Sequence, residues 1–388
     1  MTPGRWWVPI LLLAMLALLS ACGIDRFQAR GWAGLTVNDD TLYVTSGEGR
    51  VFALNVAGDA EGAGGRPALI YNPFPPANED GLGPVYSTPV VGAPVGENGP
   101  GQESIYLVTY EDPQEDDDIG ANVFALNAET GLQTWSTILP GRIVGAPALA
   151  GNSLLIGTGD GSLHAIALPE DPAALPGRTW SPFQADGRIW SQAAVSDGTL
   201  YFGTLGHSVY AVNLADGKQR WQVELDGAVV GTPLVLNGTV YVGSLDRSLY
   251  ALNAENGEAL WSFEGDGWFW ASPVHDDGVI YAATLNGTLY ALDAGGNRVW
   301  SIPAEASGPI VAAPEVLERS VVVATTENIV HQFSRIDGLE EWSIGVGEQV
   351  RAGMASNGDV VYLIDNKGIV HALHTAQRRE LWTYPTQE

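Results

Sequence analysis

The feature that most limits what this 388-residue chain can fold into is a ladder of indoles. Trp135, Trp180, Trp221, Trp261, Trp300, Trp342 and Trp382 follow one another at intervals of 45, 41, 40, 39, 42 and 40 residues. A self-similar period near forty is the length of one four-stranded propeller blade. Ahead of each Trp stands a second signature: Phe124-Ala125-Leu126, His164-Ala165-Ile166, Tyr210-Ala211-Val212, Tyr250-Ala251-Leu252, Tyr290-Ala291-Leu292, His331-Gln332-Phe333 and His371-Ala372-Leu373. An eighth copy, Phe52-Ala53-Leu54, leads to Tyr71 where the others have Trp. The reading is an all-β, eight-bladed propeller of four-stranded antiparallel blades. Because the first copy is weak, a seven-bladed ring stands as the alternative.

Each piece of the repeat has a local reason. Asn237-Gly238 tolerates positive φ and closes a two-residue hairpin between the first and second strands of its unit. Asp197-Gly198, Asp277-Gly278 and Asn357-Gly358 are read as the same device. Alternation in Val240-Tyr241-Val242 and Leu249-Tyr250-Ala251-Leu252 predicts period-two strands, with the small Ala251 where neighbouring sheets approach most closely. Asn256-Gly257 then turns the chain into the outer strand that carries Trp261. Such a sheet must cover both faces, and stacking blades in a closed ring does so.

Residues 1–21 read as a lipoprotein signal peptide, with Arg5 as a sparse positive start and an apolar run over 8–19 that is short for a membrane span. Leu19-Ser20-Ala21-Cys22 resembles the lipobox of bacterial lipoproteins, in which Cys22 is lipidated and becomes the first mature residue. Cleavage after Ala21 by an ordinary secretory route is the alternative. Residues 22–31 follow as a short linker, and 32–388 as one propeller domain. Cys22 is the sole cysteine, so acylation leaves no thiol for a disulfide, a metal thiolate or a nucleophile. Outside the cytoplasm, stability must then rest on packing. The expected address is the cell envelope, by lipid anchor, on the outer face of the cytoplasmic membrane or the periplasmic face of an outer membrane.

The run Ala254-Glu255-Asn256-Gly257-Glu258-Ala259-Leu260-Trp261, with Tyr250-Ala251-Leu252 before it, resembles the tryptophan-docking motif of the pyrroloquinoline-quinone-like repeat family. The run from Phe124 to Trp135 does the same, and the resemblance spans nearly all of residues 32–384. It implies a propeller in which the seven ladder tryptophans dock blade against blade. Two departures predict less regular docking: the third unit has Pro169-Glu170-Asp171-Pro172 for the Gly turn, and the last two units have His331 and His371 for Tyr.

The quinoprotein dehydrogenases of that superfamily sandwich their cofactor between a Trp and an adjacent-cysteine disulfide, with Ca2+ against the quinone. No cysteine pair exists here and the chain is shorter, so neither pyrroloquinoline quinone nor quinone-dependent dehydrogenase activity is expected. No G-x-S-x-G elbow or His metal spacing is present, and His164, His331 and His371 read as core residues. In length, lipobox, blade count and lack of enzyme residues the chain is similar to the propeller lipoproteins of the outer-membrane β-barrel assembly machinery. That similarity implies a non-catalytic scaffold for a protein or peptide partner, monomeric within a larger complex.

Departures from the repeat locate the candidate sites. Aligned on the Pro of Gly231-Thr232-Pro233, the residue three places earlier reads, unit by unit, Trp32, Tyr86, Val144, Trp190, Val230, Trp270, Val311 and Arg351. With Arg142, Arg188 and Trp268 nearby, these predict an aromatic and arginine collar at one mouth of the channel, composed of typical binding anchors. The opposing reading is that they plug the channel. A small ligand stacking in the collar is the alternative function. Two insertions, 94–103 and 110–122, fall in the second unit. The latter holds Asp116, Asp117 and Asp118, weak candidates for Ca2+ that read more simply as a solvated acidic loop. A net charge of −27 repels phosphate backbones, so no nucleic-acid partner is expected.

Overall fold

The computed structural model describes residues 34–59, 65–76, 81–96, 99–110, 120–171 and 174–386. All of them belong to the compact unit Gly31–Glu388. Cys22, the leader, Trp32 and Asp116 to Asp118 lie outside the described residues.

Every blade is laid down from contiguous sequence. Eight blade sheets follow one another, each with its strands in chain order and antiparallel, a two-stranded ribbon pairs Val95–Gly96 with Gly99–Pro100 within the second unit, and no α-helix occurs among the described residues. The eight-bladed reading holds. Blade 5 is the cleanest, built from Leu234–Leu236, Thr239–Gly243, Ser248–Asn253 and Ala259–Glu264. Blade 1 runs Leu35–Asn38, Thr41–Thr45, Val51–Asn55 and Ala68–Leu69. Blade 8 runs Ala355–Asn357, Val360–Ile364, Ile369–His374 and Arg379–Pro385. The first strands of blades 8 and 1, 1 and 2, 2 and 3, 4 and 5, and 6 and 7 touch one another, which puts them innermost.

The hairpin turns follow the sequence at three of the four expected places. Leu236 pairs with Thr239, and between them Asn237 and Gly238 take φ of 48° and 76°. Asp197-Gly198 and Asp277-Gly278 repeat this geometry. The fourth is displaced by one residue: Asn357 itself pairs with Val360, so the turn is Gly358-Asp359, with Gly358 at φ 59°. A glycine at the first central position suits a type II′ turn, which needs positive φ there alone.

The small residue of the repeat has a specific cause. Ala251 lies in register with Tyr241 on one side and Trp261 on the other, and those two rings close over it with centroids 5.7 Å apart. A larger residue on the third strand would hold the rings apart. The same pair recurs as Tyr106–Trp135 at 5.9 Å, Tyr201–Trp221 at 5.8 Å, Tyr281–Trp300 at 5.7 Å and Tyr362–Trp382 at 5.9 Å.

Each indole then docks on the next blade. Trp221 Nε1 donates to Ala254 O at 2.9 Å, Trp261 to Ala294 O at 2.9 Å, and Trp300 to Arg335 O at 3.0 Å. Beneath the indole sits the turn glycine: a Cβ on Gly257, whose φ is 78°, would meet the Trp221 ring at 2.9 Å. Only glycine satisfies both demands without strain. In blade 1 the Tyr71 ring occupies the corresponding place against Gly131, so the weak first unit docks by packing, with its buried hydroxyl making none of the hydrogen bonds that the indoles make. The glycine-free third unit receives Trp135 through Ile166 and Leu168 instead.

Histidine replaces tyrosine without loss of burial. His164, His331 and His371 are all buried. Tyr290 Oη donates to Asp266 at 3.2 Å, whereas His331 Nδ1 donates to Glu340 at 2.8 Å and His371 Nδ1 to Glu380 at 2.7 Å.

Candidate functional site

The segment leading into each blade is wedged between the second-to-third-strand connections of two neighbours. In blade 4, Leu205 N donates to Arg188 O at 2.9 Å, while Ile189 N donates to Thr158 O of blade 3 at 3.1 Å. The same two bonds recur at Leu245 to Ala228 with Val229 to Thr204, and at Leu285 to Trp268 with Phe269 to Ser244. Held extended, the segment alternates its side chains. Ile143, Ile189, Val229, Phe269, Ile310 and Val350 turn into the core and are buried.

The next residue of each segment turns to the axis. Tyr86, Val144, Trp190, Val230, Trp270, Val311 and Arg351 all line one axial cavity of ≈ 520 Å3. Seven of the eight collar positions therefore converge; Trp32 lies outside the described residues. From blade 3 onward large and small side chains alternate around the ring. The large groups narrow the channel and leave open space between them.

Arg142, Arg188 and Trp268 do not line that cavity. They stand two residues earlier on their segments, roughly 6–7 Å further out, with Arg142 and Arg188 exposed and Trp268 52% exposed. They form an outer row at the same mouth. Sequence reasoning missed a polar tier on the other side of the collar: Thr88, Gln192, Thr232 and Ser272 also line the cavity. Each stands two residues after a collar residue, so the strand period itself was the available signal. Gln192 Nε2 donates to Pro147 O at 2.7 Å and Thr232 N to Ser272 Oγ at 2.8 Å, which locks neighbouring blades at this level.

The chemistry of the wall is apolar, aromatic and cationic. Among the described residues no Asp or Glu lines the axial cavity. Arg351 donates from Nε at 3.2 Å and from Nη2 at 2.9 Å to Gln349 Oε1, which fixes the guanidinium at the mouth. A quinone held against Ca2+ needs carboxylate ligands and, in its superfamily, a cysteine pair; the wall supplies neither, so these residues do not fit that cofactor. Among the described residues no group of three or more His, Cys, Asp or Glu is placed to hold a metal ion.

Fold and site together define a class: an eight-bladed propeller of quinone-type repeats whose connecting loops surround an open axial mouth. The profile of the PQQ_2 family, described as outer membrane protein assembly factor BamB, matches residues 89–171, 174–268 and 264–388, and the chain belongs to that family. Among solved structures it is similar to BamB from Moraxella catarrhalis, with 20% identity over 72% of this chain and 90% of that one and a TM-score of 0.59. The computationally designed Ika8 protein matches with 13% identity, 87% and 94% coverage and a TM-score of 0.64. Sqt1 of Saccharomyces cerevisiae matches with 13% identity, 78% and 85% coverage and a TM-score of 0.63. No curated protein matches the sequence.

Proposed function

We propose that this protein is a non-catalytic scaffold of the cell envelope, tethered through a lipid on Cys22, that holds a protein partner by an extended segment laid across the axial mouth. Membership of a family described by an outer-membrane assembly factor supports a role in envelope or outer-membrane protein assembly, within a larger complex. The observation that carries the reading is the convergence of Tyr86, Trp190, Trp270 and Arg351 on one open cavity of an otherwise acidic chain. Aromatic and arginine side chains dominate binding energy when they are presented together.

The test is crosslinking in native membranes of wild type and of a Trp190→Ala, Trp270→Ala, Arg351→Ala triple variant. The specific adduct is expected to disappear while the circular dichroism and melting temperature hold; an unchanged adduct removes the collar from the account. Cys22→Ser is expected to move the protein from the membrane to the soluble fraction and to abolish incorporation of labelled palmitate. A second reading, recognition of a small ligand, is favoured by the cavity volume of ≈ 520 Å3, within the roughly 300–1,000 Å3 typical of such sites. A thermal-shift screen of sugars and quaternary amines separates the two.

A further inference from the structure

Three departures from the repeat fall on one seam, that between blades 1 and 2. The outer strand of blade 1 is cut to the two residues Ala68–Leu69, against six in Ala259–Glu264 of blade 5. Its docking ring is Tyr71, where the seven other units have Trp. Across the seam, the insertion over 94–103 ends by setting Glu103 where blade 5 has Gly238: Ala128 N donates to Glu103 O at 3.0 Å, as Ala254 N donates to Gly238 O at 2.9 Å. A pocket of ≈ 440 Å3 opens at this seam.

What the pocket lacks is an indole N–H. In the seam of blades 4 and 5, Ala254 O accepts from Trp221 Nε1 at 2.9 Å and from Tyr201 Oη at 3.1 Å. The corresponding Ala128 lines the pocket, and among the described residues its carbonyl accepts from Tyr43 Oη alone, at 3.3 Å. Two carboxylates flank that carbonyl: Glu103 is held beside Ala128 by the backbone bond above, and Glu129 follows Ala128 in the chain. Both acids are exposed and line the pocket. Glu103 Oε1 accepts from Asn38 Nδ2 at 2.9 Å, and among the described residues neither acid forms an ion pair.

The lining selects a ligand. Thr41, Tyr43 and Ile70 supply its apolar side, and among the described residues neither Lys nor Arg lines it. Burial, and then the Glu103 carboxylate, raises the Tyr43 phenol above its usual 10.0, so the negative field reaches the inner wall. A cation placed there is favoured by both acids, on a chain of net charge −27. An ammonium is a compact, strongly hydrated point charge. A guanidinium is planar, carries five N–H donors in a rigid fork and is more weakly hydrated, so it can donate to Ala128 O and to a carboxylate together while its flat face rests on the apolar side.

We infer that this seam pocket receives the guanidinium of an exposed arginine on a partner protein, held by Ala128 O, Glu103 and Glu129. Its walls come from the first-to-second and third-to-fourth strand turns, which lie at the opposite end of each blade from the second-to-third connections around the mouth. The site therefore stands at the other end of the ring from the collar and does not depend on it.

Saturation-transfer difference NMR on the full-length protein in detergent micelles tests this, with N-acetyl-arginine N-methylamide in excess and its lysine and citrulline counterparts as comparisons. Citrulline keeps the planar shape and removes the charge. The arginine compound is expected to bind at least about tenfold more tightly than either, as loss of a charge-assisted hydrogen bond implies. Glu129→Gln, at an exposed position, should lower its affinity to about that of the citrulline compound. Tyr71→Trp, which restores the repeat and supplies the missing N–H, should abolish the signal; if that variant does not fold, Glu129→Gln decides alone. The Trp190→Ala, Trp270→Ala, Arg351→Ala triple variant should bind as wild type does. Equal affinity for the arginine compound and either counterpart, no transfer from any of them, unaltered affinity in Glu129→Gln or in folded Tyr71→Trp, or loss of binding in the triple variant overturns the inference. The crosslinked adduct of the collar is scored separately, so the collar reading stands or falls by its own result.

Discussion

Trp382 Nε1 donates to Asp59 Oδ2 at 2.9 Å, joining the last blade to the first. Tyr362 Oη donates to the same oxygen at 3.0 Å. At the seams of Trp221, Trp261 and Trp300 the indole ends on a backbone carbonyl, so the closing seam is distinguished by an ionisable acceptor. Around it Leu42, Val44 and Leu54 of blade 1 pack against Val360, Tyr362 and Trp382 of blade 8. Among the described residues no strand crosses from one to the other.

Asp59→Ala should cost about 1–3 kcal/mol in urea unfolding, since it strands two buried donors. Burial raises the Asp59 carboxyl above its usual 3.8, only partly offset by the bonds from Trp382 and Tyr362. The native state therefore binds a proton more readily than the unfolded one, and this group's contribution weakens as pH rises from 3.8 through the raised value. Asp59→Asn should remove that acid-side slope. A change below about 0.5 kcal/mol in Asp59→Ala would mean that apolar packing alone closes the ring.

A charged cluster sits inside blade 8. His371 lies between Glu380, 2.7 Å from Nδ1, and Asp365, 3.5 Å from Nε2. Burial opposes the imidazolium, but the two carboxylates outweigh it and raise the His371 pKa above 6.5. Its stabilisation is complete below 6.5 and is lost as pH climbs through the raised value. Asp365 behaves oppositely: burial pushes it up, yet His371 and the backbone N–H groups of Ile369 and Lys367 hold it below 3.8. Its contribution is present above 3.8 and fades as pH falls through the lowered value. Melting temperatures measured across that range should decline on the alkaline side, and His371→Tyr, the residue of the regular repeat, should flatten the decline. Identical profiles would refute the charge assignment.

Two substitutions at one turn position should have opposite signs. Gly257 has φ of 78° under the Trp221 indole, and Arg378 fills the corresponding place in blade 8 at φ 54°. Gly257→Ala should destabilise by about 1–2 kcal/mol from the left-handed backbone alone, with more from the collision. Arg378→Gly should stabilise by up to about 1 kcal/mol. Denaturant midpoints report both.

Ala251→Leu should cost roughly 1–3 kcal/mol by forcing Tyr241 and Trp261 apart. A red shift of the tryptophan emission should accompany it as the indole gains solvent. An unshifted spectrum with unchanged stability would show that the third strand has room to spare.

The fold was legible in the sequence because one interaction recurs: in the regular units a Trp packs on a Tyr, an Ala and a turn glycine that lie at fixed offsets, so the spacing encodes the contact. Tyr71 could be placed by the same rule although its ring is smaller. The turn at Asn357 was misplaced by one residue because Gly-Asp and Asn-Gly both tolerate a tight hairpin, and only the pairing of Asn357 with Val360 separates them. Asp59 carried no signal, as its partners lie more than 300 residues away and only ring closure brings them together. At the mouth, alignment on the repeat located the axial residues, whereas Arg142, Arg188 and Trp268 were drawn in by proximity along the chain. Chain neighbours two apart in an extended segment share a face but differ in radius, and a string of letters does not express radius.

The contiguous build of each sheet has a bearing on how such a molecule changes over time. A ring whose every unit is a single uninterrupted cassette can be enlarged by in-frame duplication, or reopened at another joint with new ends, without unpicking any backbone ladder. What must be supplied at a new join is an acceptor for one indole and a small residue beneath it, and the present joint shows that a carboxylate can serve as that acceptor.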